Sequence, residues 1–222
     1  MRTRVKICGL TRPDDVNFSV RAGADALGFV FYKPSPRYVS PEIARRLISL
    51  VPAWVSTVGL FVNSSYDEIL QVIDHVGVSH VQLHGDESEK LCERISRPVI
   101  KAIRLPTEAI IDQTMTDKFA KISNSYLECC SAVLFDSDTR TYGGSGETFN
   151  WEVLDELISQ CRGKWVLSGG LNKHNIKLAM TRFNPPFVDV SSGVELVSVD
   201  KVPGVKDHHE IEGFLKLVAG FN

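Results

Sequence analysis

Short apolar runs alternate with segments of helical spacing along the whole chain. The runs that read as strands are "VKICG" (5–9), "ALGFVF" (26–31), "TVGLFV" (57–62), "HVQLH" (80–84), "VIKAIRL" (99–105), "AVLFDS" (132–137), "WVLSGG" (165–170) and "FVDVSSG" (187–193). Their brevity and apolar content suit strands buried on both faces. Helical segments follow them: "PDDVNFSVRAG", "PEIARRLISLV", "SYDEILQVIDHVG", "DESEKLCERIS", "DKFAKISNSYL", "WEVLDELISQC", "NKHNIKLAM" and "HHEIEGFLKLVAGF". The first opens on a proline and two acids and ends on glycine, which suits helix termini. In the second, Ile43, Leu47, Ile48 and Val51 are expected on one stripe; in the third, Ile69, Leu70, Val72 and Ile73.

Eight strand–helix units in 222 residues leave about 28 residues each, enough for a βα pair and little else. Strands buried on both faces and separated by helices must run parallel. The expected fold class is therefore α/β: a (β/α)8 (TIM) barrel in a single domain spanning residues 1–222, since no linker or composition break divides the chain. An open doubly wound sheet is the alternative. No glycine-rich dinucleotide fingerprint follows the first strand, which weakens it. Two connections exceed the minimum, 32–40 and 138–150, and both lie at the strand C-terminal ends, where barrels of this kind carry their sites.

Composition narrows the function. The chain is 43% hydrophobic and 23% charged with a net charge of −2, so neither disorder nor a nucleic-acid partner is expected. Its five cysteines are an odd number without a C-x-x-C pair, so no disulfide framework and no metal site is expected. The opening "MRTRVKICGL" lacks a signal-peptide core, and no stretch approaches the roughly 18 apolar residues that span a bilayer. A cytoplasmic protein without a membrane partner is the expectation.

Candidate chemistry gathers at strand ends. "LSGGLNKHN" and "DVSSGVE" leave strands seven and eight through small residues, Gly169, Gly170, Ser192 and Gly193, that let backbone N–H groups approach an anion. Together they read as a phosphate site, and the implied ligand is a small phosphorylated molecule. Side chains alternate along a strand, so Lys6 and Cys8 share a face, with Val5 and Ile7 on the other. The same rule groups Ala132, Leu134 and Asp136 against Val133 and Phe135. Cys8 and Asp136 should project into the barrel mouth as a general base and a general acid, with Lys6 favouring the thiolate. Each residue taken singly also has an ordinary reading: Cys8 as a small buried hydrophobe, Asp136 as a turn cap, His84 as a backbone hydrogen-bonder, Arg37 as a solvated loop cation, Asp189 and Glu195 as loop-orienting carboxylates.

The strings "KICGLTRPDDV", "GADALGFVFYKPSPRYVS", "VGLFVN", "VQLHGDE", "GGSGETFNW", "LSGGLN", "DVSSGVE" and "GVKD", in this order, closely resemble the phosphoribosylanthranilate isomerase family. The resemblance runs from residue 5 to beyond residue 207. It implies a (β/α)8 barrel that performs an Amadori rearrangement in tryptophan biosynthesis, converting N-(5′-phosphoribosyl)anthranilate into 1-(o-carboxyphenylamino)-1-deoxyribulose 5-phosphate. It implies Cys8 as base, Asp136 as acid, Arg37 on the anthranilate carboxylate, and the phosphate on Gly169, Gly170, Ser192 and Gly193. Lys6, His84 and Asp189 are supporting candidates. No cofactor is implied, and members occur as monomers and homodimers.

Departures from the family pattern are Glu147, where many members carry lysine, Asn150, where aspartate is frequent, and Ser168, where alanine is common. Glu147 is expected to point to solvent, and 121–130 receives no role. The competing readings are the phosphoribosyl-formimino isomerase of histidine synthesis or a dual-substrate isomerase, both disfavoured by Cys8 where aspartate is used there. A non-catalytic phosphate-ligand barrel is disfavoured because both Cys8 and Asp136 are present.

Overall fold

Eight parallel strands close on themselves in sequence order, β1 pairing with both β2 and β8. The computed structural model describes residues 2–107, 112–138, 148–196 and 204–221. The strands are β1 (Arg4–Ile7), β2 (Ala26–Val30), β3 (Ser56–Phe61), β4 (His80–Leu83), β5 (Val99–Pro106), β6 (Ala132–Asp138), β7 (Trp165–Leu167) and β8 (Phe187–Val190). The helices alternating with them are α1 (Pro13–Ala22), α2 (Pro41–Ile48), α3 (Tyr66–Val76), α4 (Glu89–Arg94), α5 (Gln113–Leu127), α6 (Glu152–Gln160), α7 (Ile176–Phe183) and α8 (His208–Ala219). Closure removes every sheet edge, so the open-sheet alternative falls.

Strand parity follows the two-residue period. Val5, Ile7, Val133 and Phe135 face outward into the main core between sheet and helices. Ala132, Leu134, Val166 and Ala102 meet inside the barrel, and Cys8, Val30, Leu60 and Val62 form a second interior cluster. Fully burying side chains of the size of Leu or Phe is worth about 1.5–3 kcal/mol each, so the outer layer carries most of the stabilisation.

Helix boundaries differ from the periodicity where polar side chains compete for the backbone. Residues 172–175 form a loop before α7 instead of its first turn, because Asn172 and Asn175 both donate side-chain N–H to Gly170 O, at 3.1 and 2.9 Å. Residues 86–88 stay outside α4, with the Glu87 carboxylate drawn to Lys101 Nζ at 3.2 Å. The α5 helix starts earlier than its apolar pattern, at an Asp112 cap that accepts from Met115 N at 2.9 Å. In α2 the inward stripe is shifted by one residue: Ala44 and Leu47 are buried while Ile43 is exposed.

Candidate functional site

At the C-terminal mouth of the barrel, one cleft is lined by Cys8, Arg37, His84, Asp136, Gly169, Gly170, Asp189 and Ser192, together with Gln82 and Ser191. It encloses about 600 Å³, counting the space open to solvent. Residues up to 184 positions apart in sequence meet here because the strands that carry them close into a ring.

Cys8 follows β1, its N–H donating to Val190 O at 2.8 Å, so the thiol-bearing residue is pinned to β8. One pleat below, Lys6 Nζ donates to Asp189 Oδ2 at 2.8 Å, and both side chains are buried. Lys6 therefore lies beneath the cleft rather than in its wall. Burial opposes the Lys6 charge, yet Asp189 and Cys8 outweigh it and hold Lys6 above the ordinary lysine value. Burial also pushes the Cys8 thiol up; Lys6 pulls it down and Asp189 pushes it up again. Lys6 thus acts in the direction expected, favouring the thiolate, while burial foremost and the Asp189 anion leave the thiol above its ordinary value. Gly28 keeps the wall of β2 bare at this level. A Cβ there would stand 2.8 Å from Cys8 Sγ and 3.0 Å from Lys6 Cε.

Asp136, on β6, is buried, with Oδ1 accepting from Ser137 N at 2.8 Å. Its Oδ2 lies 3.0 Å from His84 Nε2, a close approach that is not aligned as a hydrogen bond. The Gln82 amide donates to His84 Nδ1 at 2.9 Å, which leaves the ring proton of a neutral His84 on Nε2, facing the carboxylate. His84 is therefore a side-chain partner of Asp136 and not merely a backbone hydrogen-bonder. Gln82 escaped the sequence reading; the signal was a polar residue at an inward position of a strand buried on both faces.

Gly169 and Gly170 adopt φ of +83° and +62°, a region closed to most side chains. A Cβ on Gly169 would stand 2.6 Å from Ser137 Oγ and 3.1 Å from Asp136 Oδ1, so this loop lies directly against the acid candidate. Ser191 and Ser192 supply the facing wall, Ser192 opening a short 3₁₀ turn. Gly193 does not line the cleft. Its missing side chain lets the loop after β8 tuck under the loop after β7, where a Cβ would meet Leu171 O at 1.9 Å.

Arg37 is buried and clamped by Glu195, with Nε and Nη2 donating to the two carboxylate oxygens at 2.7 and 2.8 Å. Lys206 Nζ braces the same carboxylate at 3.0 Å and donates to Ser191 O at 2.9 Å. Although burial opposes ionisation of Glu195, Arg37 and Lys206 hold it below the ordinary carboxylate value. Burial depresses the Lys206 pKa, partly offset by Glu195. Lys206 was invisible as a site residue because its partners lie in other loops. Of the long loop at 138–150, residues 139–147, including Glu147, lie outside the described residues. Among the described residues, no helix is long and apolar enough to cross a membrane.

Residues 5–217 match the family model for N-(5′-phosphoribosyl)anthranilate (PRA) isomerase. The chain is 44% identical to the N-(5′-phosphoribosyl)anthranilate isomerase of Thermotoga neapolitana over 98% of both proteins. Its fold superposes with a TM-score of 0.84 on the crystal structure of phosphoribosyl anthranilate isomerase from Thermotoga maritima, at 43% identity, covering 98% of this chain and 99% of that one. A second solved structure of the enzyme, in complex with reduced 1-(o-carboxyphenylamino)-1-deoxyribulose 5-phosphate, gives a TM-score of 0.80 at 40% identity over 98% and 99% of the two chains. With a closed barrel, a thiol–carboxylate mouth and matches that run nearly end to end, the chain belongs to the phosphoribosylanthranilate isomerase family.

Proposed function

We propose that the cleft converts N-(5′-phosphoribosyl)anthranilate into 1-(o-carboxyphenylamino)-1-deoxyribulose 5-phosphate, with Asp136 as general acid and Cys8 as general base, in the cytoplasm. The observation that carries the assignment of roles is that Cys8, directly after β1, and Asp136, on the non-adjacent β6, are both buried yet line one cleft beside two glycine–serine loops. The substrate is a phosphorylated furanose joined to an aromatic carboxylate. Its phosphate suits the backbone donors around Gly169, Gly170 and Ser192, and its carboxylate suits Arg37, which would then be shared with Glu195.

In this reading Asp136 gives a proton to the furanose ring oxygen, and the ring opens to a protonated imine. Cys8 then takes the C2′ proton, and the enolamine tautomerises to the ketone. The imine acidifies that proton, so a sulfur base is sufficient even though burial raises its pKa above the ordinary thiol value. An acid must hold a proton when substrate arrives. His84, 3.0 Å away, is the side chain that positions the Asp136 carboxyl group in the cleft. Lys6 and Asp189 set the charge beneath the thiol.

The test is the loss of anthranilate fluorescence when purified protein meets freshly made phosphoribosylanthranilate. Wild type should turn over, and Cys8→Ser and Asp136→Asn should each lower kcat by roughly 10²–10⁴-fold. Full activity in either variant removes that residue from its role; an inert wild type removes the assignment.

A further inference from the structure

On the side of the barrel away from the mouth, three cysteines that are scattered in sequence come together. Cys92 lies on α4, and Cys129 and Cys130 form the turn from α5 into β6. The turn is fixed by its backbone: Cys129 N and Cys130 N both donate to Tyr126 O, at 3.1 and 2.7 Å, and Ser131 N donates to Val99 O at 2.8 Å. The three sulfur atoms all lie within 4.8 Å of one another, and the Cys129 and Cys130 sulfurs are 3.8 Å apart. Cys92 and Cys130 are buried and Cys129 is half-buried, which gives the cluster a solvent-facing side.

We propose that Cys92, Cys129 and Cys130 form a three-thiolate site for one thiophilic divalent cation of the zinc type. The Zn–S bond of about 2.3 Å in a tetrahedral site implies sulfurs roughly 3.8 Å apart. One pair already has that spacing, and closing the triangle moves no sulfur by more than about 1 Å. Soft sulfur donors without a carboxylate in the set select zinc-like or softer ions over magnesium or calcium. The half-exposed Cys129 marks the side on which a water completes the tetrahedron.

Before a cation enters, the three thiols differ in how readily they lose a proton, and burial raises Cys129. The Cys130 thiol lowers the pKa of Cys92 through a hydrogen bond, opposed by burial and aided by the nearby Lys101 cation. Cys130, the donor, is pushed up in the same exchange. Binding then forms three metal–sulfur bonds and releases the protons still held by the thiols, up to three, to solvent. The catalytic cleft takes no part, since Cys8 lies at the opposite end of the barrel.

The experiment titrates the reduced, metal-free full chain with Cd²⁺, following sulfur-to-cadmium ultraviolet charge transfer and proton release. The expected result is saturation at one equivalent, with the band intensity of three thiolates, displacement by Zn²⁺ and a raised melting temperature. Cys92→Ser, Cys129→Ser and Cys130→Ser should each weaken Cd²⁺ binding by about 100-fold, and Cys161→Ala should not change it. The wild-type band intensity counts sulfur ligands without any variant, so a misfolded Cys92→Ser protein leaves the test intact. No band, a band of one or two thiolates, or a band lost only in Cys161→Ala overturns the site. So does a chain that takes up no cation because Cys92 has paired with Cys129 or Cys130 as a disulfide under the same reducing conditions.

Discussion

Replacing Lys6 by methionine and Asp189 by asparagine, separately and together, separates the two charges beneath Cys8. The Lys6 ammonium and the Asp189 carboxylate form one buried pair at 2.8 Å, so their opposing effects on the thiol partly cancel. Cys8 Sγ and Lys6 Cε both lie within 3.0 Å of the point where a Gly28 Cβ would stand, which puts the lysine charge against the sulfur. Unit charges about 5 Å apart interact with roughly 3 kcal/mol at an effective dielectric near 20. At about 1.4 kcal/mol per pKa unit, that is about 2 units on the thiol. Lys6→Met removes the stabilising cation and leaves the anion, so the Cys8 pKa rises further, and alkylation at fixed pH slows by about 100-fold. Asp189→Asn leaves the cation alone, so the pKa falls; the carboxylate acts on the thiol more weakly than the lysine, and a gain of about 10-fold is expected. The double variant should lie between the two. The assay is iodoacetamide labelling against pH, with Cys8 quantified by peptide mass spectrometry to separate it from the other four cysteines. Breaking a buried pair costs about 3–5 kcal/mol, so circular dichroism must show each variant folded before its rate is read. Shifts in the same direction for the two single variants, or an unchanged rate in Lys6→Met, would refute the electrostatic account of the thiol.

Gly28→Ala places a methyl 2.8 Å from Cys8 Sγ and 3.1 Å from Cys8 Cα, so the thiol must move; kcat should fall by more than about 10-fold while the melting temperature changes little, by steady-state kinetics and calorimetry. Gly193→Ala meets the Leu171 carbonyl at 1.9 Å, a backbone atom that cannot rotate away, so the two loops separate and KM rises by about 10-fold, an apparent loss of ~1.4 kcal/mol. Glu195→Gln should destabilise the protein by about 2 kcal/mol at neutral pH by weakening the clamp on Arg37 and Lys206. Glu195 is depressed in the folded state, so the unfolded chain takes the proton first on acidification. The stability it contributes is present above the unfolded value of 4.5 and is lost as pH falls through the lower folded one. Urea midpoints of wild type and variant should therefore converge below that pH; a constant gap would reject the linkage.

Strand parity was readable because a sheet buried on both faces allows only a period of two. Once Val5, Ile7, Val133 and Phe135 are turned toward the helices, Cys8 and Asp136 can only face the interior, and they do. Helix ends were less readable. Asn172, Asn175 and Glu87 satisfy loop backbone and a buried lysine instead of extending a helix, and apolar periodicity carries no record of that competition. Pairings between distant elements were not readable at all: Lys6 with Asp189, Arg37 with Glu195, and Cys92 with Cys129 and Cys130 depend on which strands and helices become neighbours. Those pairings alter the chemistry and not only the geometry. Parity alone makes Lys6 an activator of the thiol, whereas burial raises the thiol and closure of β8 against β1 brings Asp189 to Lys6, which offsets part of the lysine's pull. An anionic phosphate and carboxylate entering the cleft would raise the thiol pKa further, unless Arg37, Lys206 and the loop N–H groups absorb their charge. The Glu195 clamp holds two cations beside Ser191 and the loops after β7 and β8, so in the proposed reaction it joins the lysine beneath the thiol in setting the charge that Cys8 meets.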